Sequence, residues 1–336
     1  MKPDLALDVR ETSHMSAGML AYARALRRLL PVVAPDLRIL HVGGGDNFDL
    51  AEQIGLPLAL LRARPRLVHF PTIFVPRFVA VPAVVTVHDV IDLEFPQYVK
   101  RKVGPYWRAV VAPVLRAARA VITDDARTAE LLAHYARVAP TRVRIIPLGV
   151  DAPEPLPAPL RRARPYFFYA GNHRPHKDLP TLVRAWASLP PAYAVDLILT
   201  GPENAGLRAA GGRESRGELI FAGDVSDADV WALHRGAAAY VHPALREGFG
   251  LPLLEALRAG TLTIAAGDAI PDVLKPAVRA FPARDAPALT ALLAHALDRT
   301  PQQIDADARA ARDASAHLTW ERTVRATAAL YRELLA

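Results

Sequence analysis

Two carboxylates, Glu247 and Glu255, stand eight positions apart in the segment EGFGLPLLEALRAG, residues 247–260. A glycine-containing turn joins them and runs into an apolar helix. Gly248 and Gly250 suit positive φ and let the backbone come close to a ligand. Pro252 fits the first turn of a helix, where no amide donor is lost. The helix predicted over Leu253 to Ala259 points its N-terminal amides at whatever occupies the turn, and such a terminus favours an anion. Glu247 is placed at the mouth of the turn and Glu255 about one turn into the helix, so the two can touch different parts of one extended ligand.

A second cluster lies upstream. GNHRPHKD, Gly171 to Asp178, follows a predicted strand and precedes a predicted helix, which is the position of an anion site. It gathers His173, Arg174, His176 and Lys177. Lys177 is one of five lysines among 41 basic residues. Its compact ammonium suits a diphosphate as a point charge. The plain alternative is a solvated basic turn. His88 and Asp89 leave an apolar strand within VTVHDVID, residues 85–92. His88, Asp89 and Asp92 lie too close in sequence to converge on one metal ion without partners elsewhere. Gly43–Gly45 lacks the GxGxxG spacing of a dinucleotide loop, and no GxSxG, HExxH or P-loop pattern occurs.

These groups need a scaffold. Short apolar runs alternate with amphipathic stretches, which reads as α/β with parallel sheets. Strands are expected at 38–42, 67–70, 83–88, 143–147, 166–170, 195–200, 219–222, 238–241 and 262–265. Helices are expected at 17–30, 103–118, 125–138, 179–188, 227–235, 253–259, 286–298 and 320–335. Residues 151–165, with five prolines and no periodicity, read as a linker between an N-terminal domain, 1–150, and a C-terminal domain, 166–319. Residues 320–336 form a final helix crossing back to the first domain. Two α/β domains with such a joint place a ligand in the crevice between them, beyond the carboxyl ends of the strands.

Composition narrows the function classes. The chain of 336 residues has no cysteine, which excludes thiol catalysis and cysteine-bound zinc. Its first residues are too polar for a signal peptide, and no apolar run spans a bilayer. Residues 1–164 carry 23 Lys and Arg against 15 Asp and Glu, the rest 18 against 19. A basic N-terminal half points to an anionic partner, although an Arg-rich composition alone would give the same count. Nucleic acid is not expected, since aromatic side chains do not interleave with the basic ones.

Taken together these segments resemble the GT-B glycosyltransferases of the retaining family-4, group 1 type. The match runs through SAGMLAYARAL (16–26), VTVHDVID, IIPLGVD (145–151), GNHRPHKDLPTLVRAW, the stretch 221–260 ending in the Glu-x7-Glu block, and LTWERTVRATAALYREL (318–334). The resemblance implies a GT-B fold of two Rossmann-like domains facing a cleft. It implies transfer of a mannosyl-, glucosyl- or rhamnosyl-type hexose from a GDP-, UDP-, ADP- or dTDP-linked donor to a glycan or lipid-linked acceptor in polysaccharide biosynthesis. No cofactor and no metal are implied.

The resemblance also assigns roles. Glu247 would contact the donor sugar and steady charge at the reacting centre, and Glu255 would hydrogen-bond the ribose. Lys177, with Arg174, would neutralise the leaving diphosphate. Phe249, Gly250 and Leu251 would offer backbone amides, with Gly171 opening the phosphate loop. His88 would sit by the sugar's reacting face, and Gly18 would let the acceptor-side segment approach the donor phosphate. Leu20, Asn172 and Ala244 depart from the family pattern of Gly, Arg and Ser. A same-fold epimerase or phosphorylase and a non-catalytic nucleotide-sugar-binding subunit are the alternatives. A cytoplasmic location is expected, with peripheral contact to an anionic membrane through Lys100-Arg101-Lys102 and the following helix bearing Trp107; an ordinary packed helix is the competing reading.

Overall fold

The structure, a computed structural model, describes residues 2–46, 49–211 and 216–336. The chain divides into two compact units. Unit 1 comprises Met1–Gly149 with Leu318–Ala336, and unit 2 comprises Val150–His317.

Unit 1 carries β1 (Leu5–Asp8), β2 (Ile39–Val42), β3 (Leu67–Phe70), β4 (Ala83–Val87), β5 (Ala120–Thr123) and β6 (Val143–Ile145). They form one parallel sheet in the order β2-β1-β3-β4-β5-β6. β1, β3, β4 and β5 are buried throughout, as parallel strands covered on both faces must be. Unit 2 repeats the plan with β7 (Tyr166–Tyr169), β8 (Asp196–Leu199), β9 (Leu219–Phe221), β10 (Ala239–His242), β11 (Thr263–Ala266) and β12 (Arg279–Phe281). Its parallel order is β12-β11-β10-β7-β8-β9. Each sheet reverses direction of growth once, between β1 and β3 and between β7 and β10. Doubly wound sheets open a crevice at that point, at the carboxyl ends of the strands.

The last helix, Trp320–Leu335, belongs to unit 1. It starts at Thr319, whose hydroxyl accepts the Arg322 amide, and buries Trp320, Val324, Ala328 and Tyr331. Gly149 makes its arrival possible. A Cβ there would stand 2.0 Å from the Thr319 carbonyl carbon, so no larger residue fits. Arg332 then pairs with Asp36 at 2.6 Å.

The structure adds elements absent from the sequence reading: β1, β5 and β12, and helices Leu56–Ala63, Ala205–Gly211 and Pro301–Ser315. The helix expected from Leu253 begins at Leu251 instead, with Gly250 as its N-cap. Trp107, expected to face a membrane, is 5% exposed and donates its indole N–H to the Tyr135 carbonyl at 3.4 Å. It belongs to the core of unit 1. Among the described residues no helix is long and apolar enough to cross a membrane.

Candidate active site

The β7/β10 switch point of unit 2 gathers the predicted chemistry. β7 is the run YFFY, wholly buried. The chain leaves it through Ala170 and Gly171, whose amide donates to Thr200 Oγ1 at 2.9 Å. Asn172 Oδ1 accepts the Arg174 amide at 3.2 Å, and His173 Nε2 lies 2.7 Å from the Thr200 carbonyl oxygen. These contacts fix a loop that winds through one 3-10 turn, Pro175–Lys177, into helix Leu179–Ala187. Arg174 stays exposed, whereas His176 and Lys177 turn inward.

β10 ends at His242, and Pro243–Gly250 follows it. The Leu245 amide donates to the His176 carbonyl at 2.8 Å and ties the two loops together. Glu247 Oε1 then receives both the Lys177 ammonium and the His242 ring, whose Nε2 lies 2.9 Å away. The three side chains are 11%, 1% and 12% exposed for Lys177, His242 and Glu247. Burial alone would raise the Glu247 pKa. The adjoining Lys177 charge and the His242 contact outweigh it, and the carboxyl is held far below the usual carboxylate range. Burial lowers the His242 pKa and keeps that ring neutral. His242 Nε2 faces Glu247 closely without hydrogen-bond alignment, and its Nδ1 lies 2.9 Å from the Tyr240 hydroxyl.

Gly250 has φ +76°, a left-handed conformation that favours glycine, while Gly248 does not occupy that region. The expectation of positive φ at both glycines is corrected accordingly: one left-handed residue suffices to turn the chain into helix Leu251–Ala259. Leu253 and Leu254 close back on the Gly250 carbonyl at 2.9 and 3.3 Å. Phe249 is buried and anchors the turn. Glu255 sits on the second turn of that helix. Burial, with Asp227 as a nearby like charge, raises its pKa to about 7.

Gly18 and His88 lie in unit 1. Gly18 is the second residue of helix Ala17–Val33, whose N-cap Ser16 accepts the Met19 amide at 3.3 Å. One turn on, Tyr22 sets its ring edge-on to His88 at 4.9 Å. His88 Nδ1 lies 2.7 Å from Asp124 Oδ2, and Nε2 lies 3.1 Å from the Pro71 carbonyl oxygen. A carbonyl has no proton to give, so the His88–Asp124 pair holds one proton between the facing atoms and a second on Nε2. Burial opposes a charged ring, yet the Asp124 carboxylate outweighs it and raises the His88 pKa. Asp89 serves the turn instead, its Oδ1 accepting the Ile91 amide at 3.0 Å.

The structure thus joins Lys177 to Glu247 directly and sets Phe249, Gly250, Leu251 and Glu255 on the same turn and helix. It adds three groups that sequence reasoning missed. His242 and Asp124 are two. The third is Arg10, which chelates Asp8 with Nε and Nη2 at 2.7–3.0 Å in a recess at the β1/β3 switch point lined also by Thr12, Met15 and Thr72. The HD pair ending β4 and the DD pair ending β5 were a usable signal for Asp124, because adjacent parallel strands end side by side.

Comparison with known proteins bears on the family and the fold. Residues 21–154 match glycosyltransferase family 4, and residues 157–313 match the glycosyl transferases group 1. The serotype-specific mannosyltransferase WbdA of Escherichia coli is 35% identical over 116 residues, 30% of this chain and 13% of its own length. The chain therefore spans a small part of that relative. The MMP alpha-(1->4)-mannosyltransferase of Mycolicibacterium hassiacum is 26% identical over 275 residues, 76% of this chain and 66% of its own. In fold, the crystal structure of Anabaena HepE in complex with UDP-glucose superposes with a TM-score of 0.71 at 17% identity, covering 98% of this chain and 99% of that one. Two matches in succession that together take in most of the sequence, on two doubly wound parallel sheets, place the chain in the family-4, group 1 glycosyltransferases of GT-B fold.

Proposed function

We propose that the chain is a retaining glycosyltransferase that moves a hexose from a nucleoside diphosphate sugar to a hydroxyl of a glycan or lipid-linked acceptor. The observation that carries this reading is Glu247, held ionised at the β7/β10 switch point by Lys177 and His242. Cleaving the bond between the anomeric carbon and the diphosphate leaves positive charge on the sugar and negative charge on the departing group. A fixed carboxylate and a fixed ammonium side by side offer each fragment its counterpart. Pre-aimed charges of this kind lower a barrier by about 3–4 kcal/mol apiece.

Lys177 and Arg174 neutralise the diphosphate, helped by Gly171 and by the amides of Phe249, Gly250 and Leu251 at the start of their helix. Lys177 has three N–H bonds, so one can stay on Glu247 while another reaches a phosphate oxygen. Glu255 hydrogen-bonds the ribose hydroxyls. These cations supply the countercharge without a metal ion. His88 is no general base, because both its N–H groups are engaged, one by Asp124 and one by the Pro71 carbonyl. The acceptor hydroxyl's proton leaves with the diphosphate as the new glycosidic bond forms on the same face. The mannosyltransferases among its relatives favour mannose as the hexose, and HepE with UDP-glucose supports a nucleotide sugar as donor.

A thermal-shift screen of GDP, UDP, ADP and dTDP with their hexoses tests the donor assignment. One nucleoside diphosphate raises Tm in wild type and not in Glu255→Ala. No shift with any of them would contradict it.

A further inference from the structure

The segment 50–63 carries aliphatic side chains on its exposed side as well as its buried one. Its inward side chains include Glu52, fully buried 3.7 Å from Arg10, together with Leu56 and Leu60. Its outward side chains are Leu50, Ile54, Leu58 and Leu61, between 43% and 75% exposed. Leu50 lies at the start of the π-helical turn Ala51–Gly55, Ile54 within it, and Leu58 and Leu61 on helix Leu56–Ala63. At steps of four, four and three they line the exposed side of one continuous helical run. A hydrophobic ridge of this length facing water marks a binding surface.

Two neighbours extend the ridge. Gln53 donates to the Val75 carbonyl at 3.4 Å and accepts the Arg77 amide at 3.1 Å, which fixes the adjoining loop. That loop presents Phe78, 74% exposed, with the Arg77 guanidinium 5.5 Å above its ring. Arg77 also donates to the Ala109 carbonyl and so connects the loop to the helical segment 103–117. Lys100, Arg101, Lys102 and Arg108 are exposed there.

Charge decides what covers this face. Arg62, Arg77, Lys100, Arg101, Lys102 and Arg108 are exposed along these segments, against Asp49 and Glu94 at their edges, both half-buried, and Glu52, which points inward. A protein partner with a mixed surface does not call for such one-sidedness, whereas an anionic bilayer supplies both the apolar interior and the negative headgroups. We propose that this face of unit 1 docks on anionic lipid, with Leu50, Ile54, Leu58, Leu61 and Phe78 entering the interface and the flanking Arg and Lys meeting headgroups. The anchor is this ridge, not Trp107. The proposal stands apart from the donor chemistry, since none of these residues belongs to the candidate site.

The test is co-sedimentation of the full chain with vesicles of phosphatidylglycerol and phosphatidylcholine mixed equally, against vesicles of phosphatidylcholine alone. Binding is expected to the mixed vesicles only and to weaken with added salt. Leu58→Glu and the pair Arg101→Glu, Lys102→Glu each weaken it at least tenfold. Both variants alter exposed side chains, and unchanged thermal unfolding confirms that they fold. No binding to the mixed vesicles, or wild-type binding by Leu58→Glu, would overturn the proposal. So would a concentration-dependent dimer in sedimentation equilibrium that Leu58→Glu abolishes, which would assign the ridge to a second copy of the chain.

Discussion

Replacing Lys177 by Met strips the ammonium from Glu247 while keeping most of the side-chain volume. The two side chains are 11% and 12% exposed, so the carboxylate left behind stays largely out of water. Removing one member of a buried pair costs about 3–5 kcal/mol when the other charge is isolated. Here His242 remains 2.9 Å from Glu247, and part of the carboxylate meets solvent, which brings the expected loss to about 2–3 kcal/mol. Glu247→Gln alone leaves the ammonium unpaired and costs a similar amount. The double variant removes both charges and is expected to lose about 2 kcal/mol less than the sum of the single losses. Urea unfolding of the four proteins at neutral pH measures this coupling. Transfer rates follow the same logic: each single variant loses about 100-fold, and the double loses little more. Stability losses that add within about 0.5 kcal/mol would refute the pairing. The folded Glu247 pKa lies below its unfolded value near 4.5, so its contribution is present above that pH and is lost as the pH falls further.

Three other changes probe buried ionisable groups. Glu255 ionises near 7 in the fold and near 4.5 when unfolded, so it costs stability as the pH rises through that window. Glu255→Gln is expected to gain about 3 kcal/mol at pH 8 in thermal or urea unfolding, to lose that gain toward pH 4.5, and to bind nucleoside diphosphates poorly. Asp124→Asn removes the carboxylate that keeps the His88 proton; the His88 titration, followed by NMR at the ring Cε1–H, shifts to lower pH. His234 is fully buried, neither ring nitrogen has a hydrogen-bond partner among the described residues, and burial depresses its pKa to about 3. The unfolded chain binds its proton below about 6.5, so the fold loses stability from there downward, and His234→Leu recovers about 2 kcal/mol at pH 5 in urea unfolding.

The parts of the fold that were legible in the sequence are those whose burial is written in consecutive residues. Tyr166–Tyr169 and Leu67–Phe70 are apolar runs bounded by proline and glycine, and helix Trp320–Leu335 keeps a clear apolar stripe. β1 escaped notice because it is only LALD and ends on a charge that pairs with Arg10. Helix Pro301–Ser315 is almost without large apolar residues; it buries Ala311 and Ser315 and owes its start to the Thr300–Gln303 capping box. The segment 50–63 defeats a periodicity argument altogether, because its buried side includes a carboxylate and its exposed side is aliphatic.

In the site, the Glu-x7-Glu block and Lys177 declared themselves by spacing and rarity. His242 did not, because within AYVH it reads as the end of a buried strand, and only the fold shows its ring 2.9 Å from Glu247. Asp124 lies 36 residues from His88 and reaches it through the pairing of β4 with β5. Contacts made by strand neighbours far apart in sequence need the sheet order before they can be seen.

The central claim is that Lys177 and Glu247 act together on an activated sugar. Its most direct test is release of nucleoside diphosphate from a hexose donor in the presence of acceptor and EDTA, followed for wild type, Lys177→Met and Glu247→Gln. The account predicts release by wild type with the anomeric configuration retained in the product, and at least a tenfold loss in each variant. Undiminished release by either variant, or an inverted product, would contradict it.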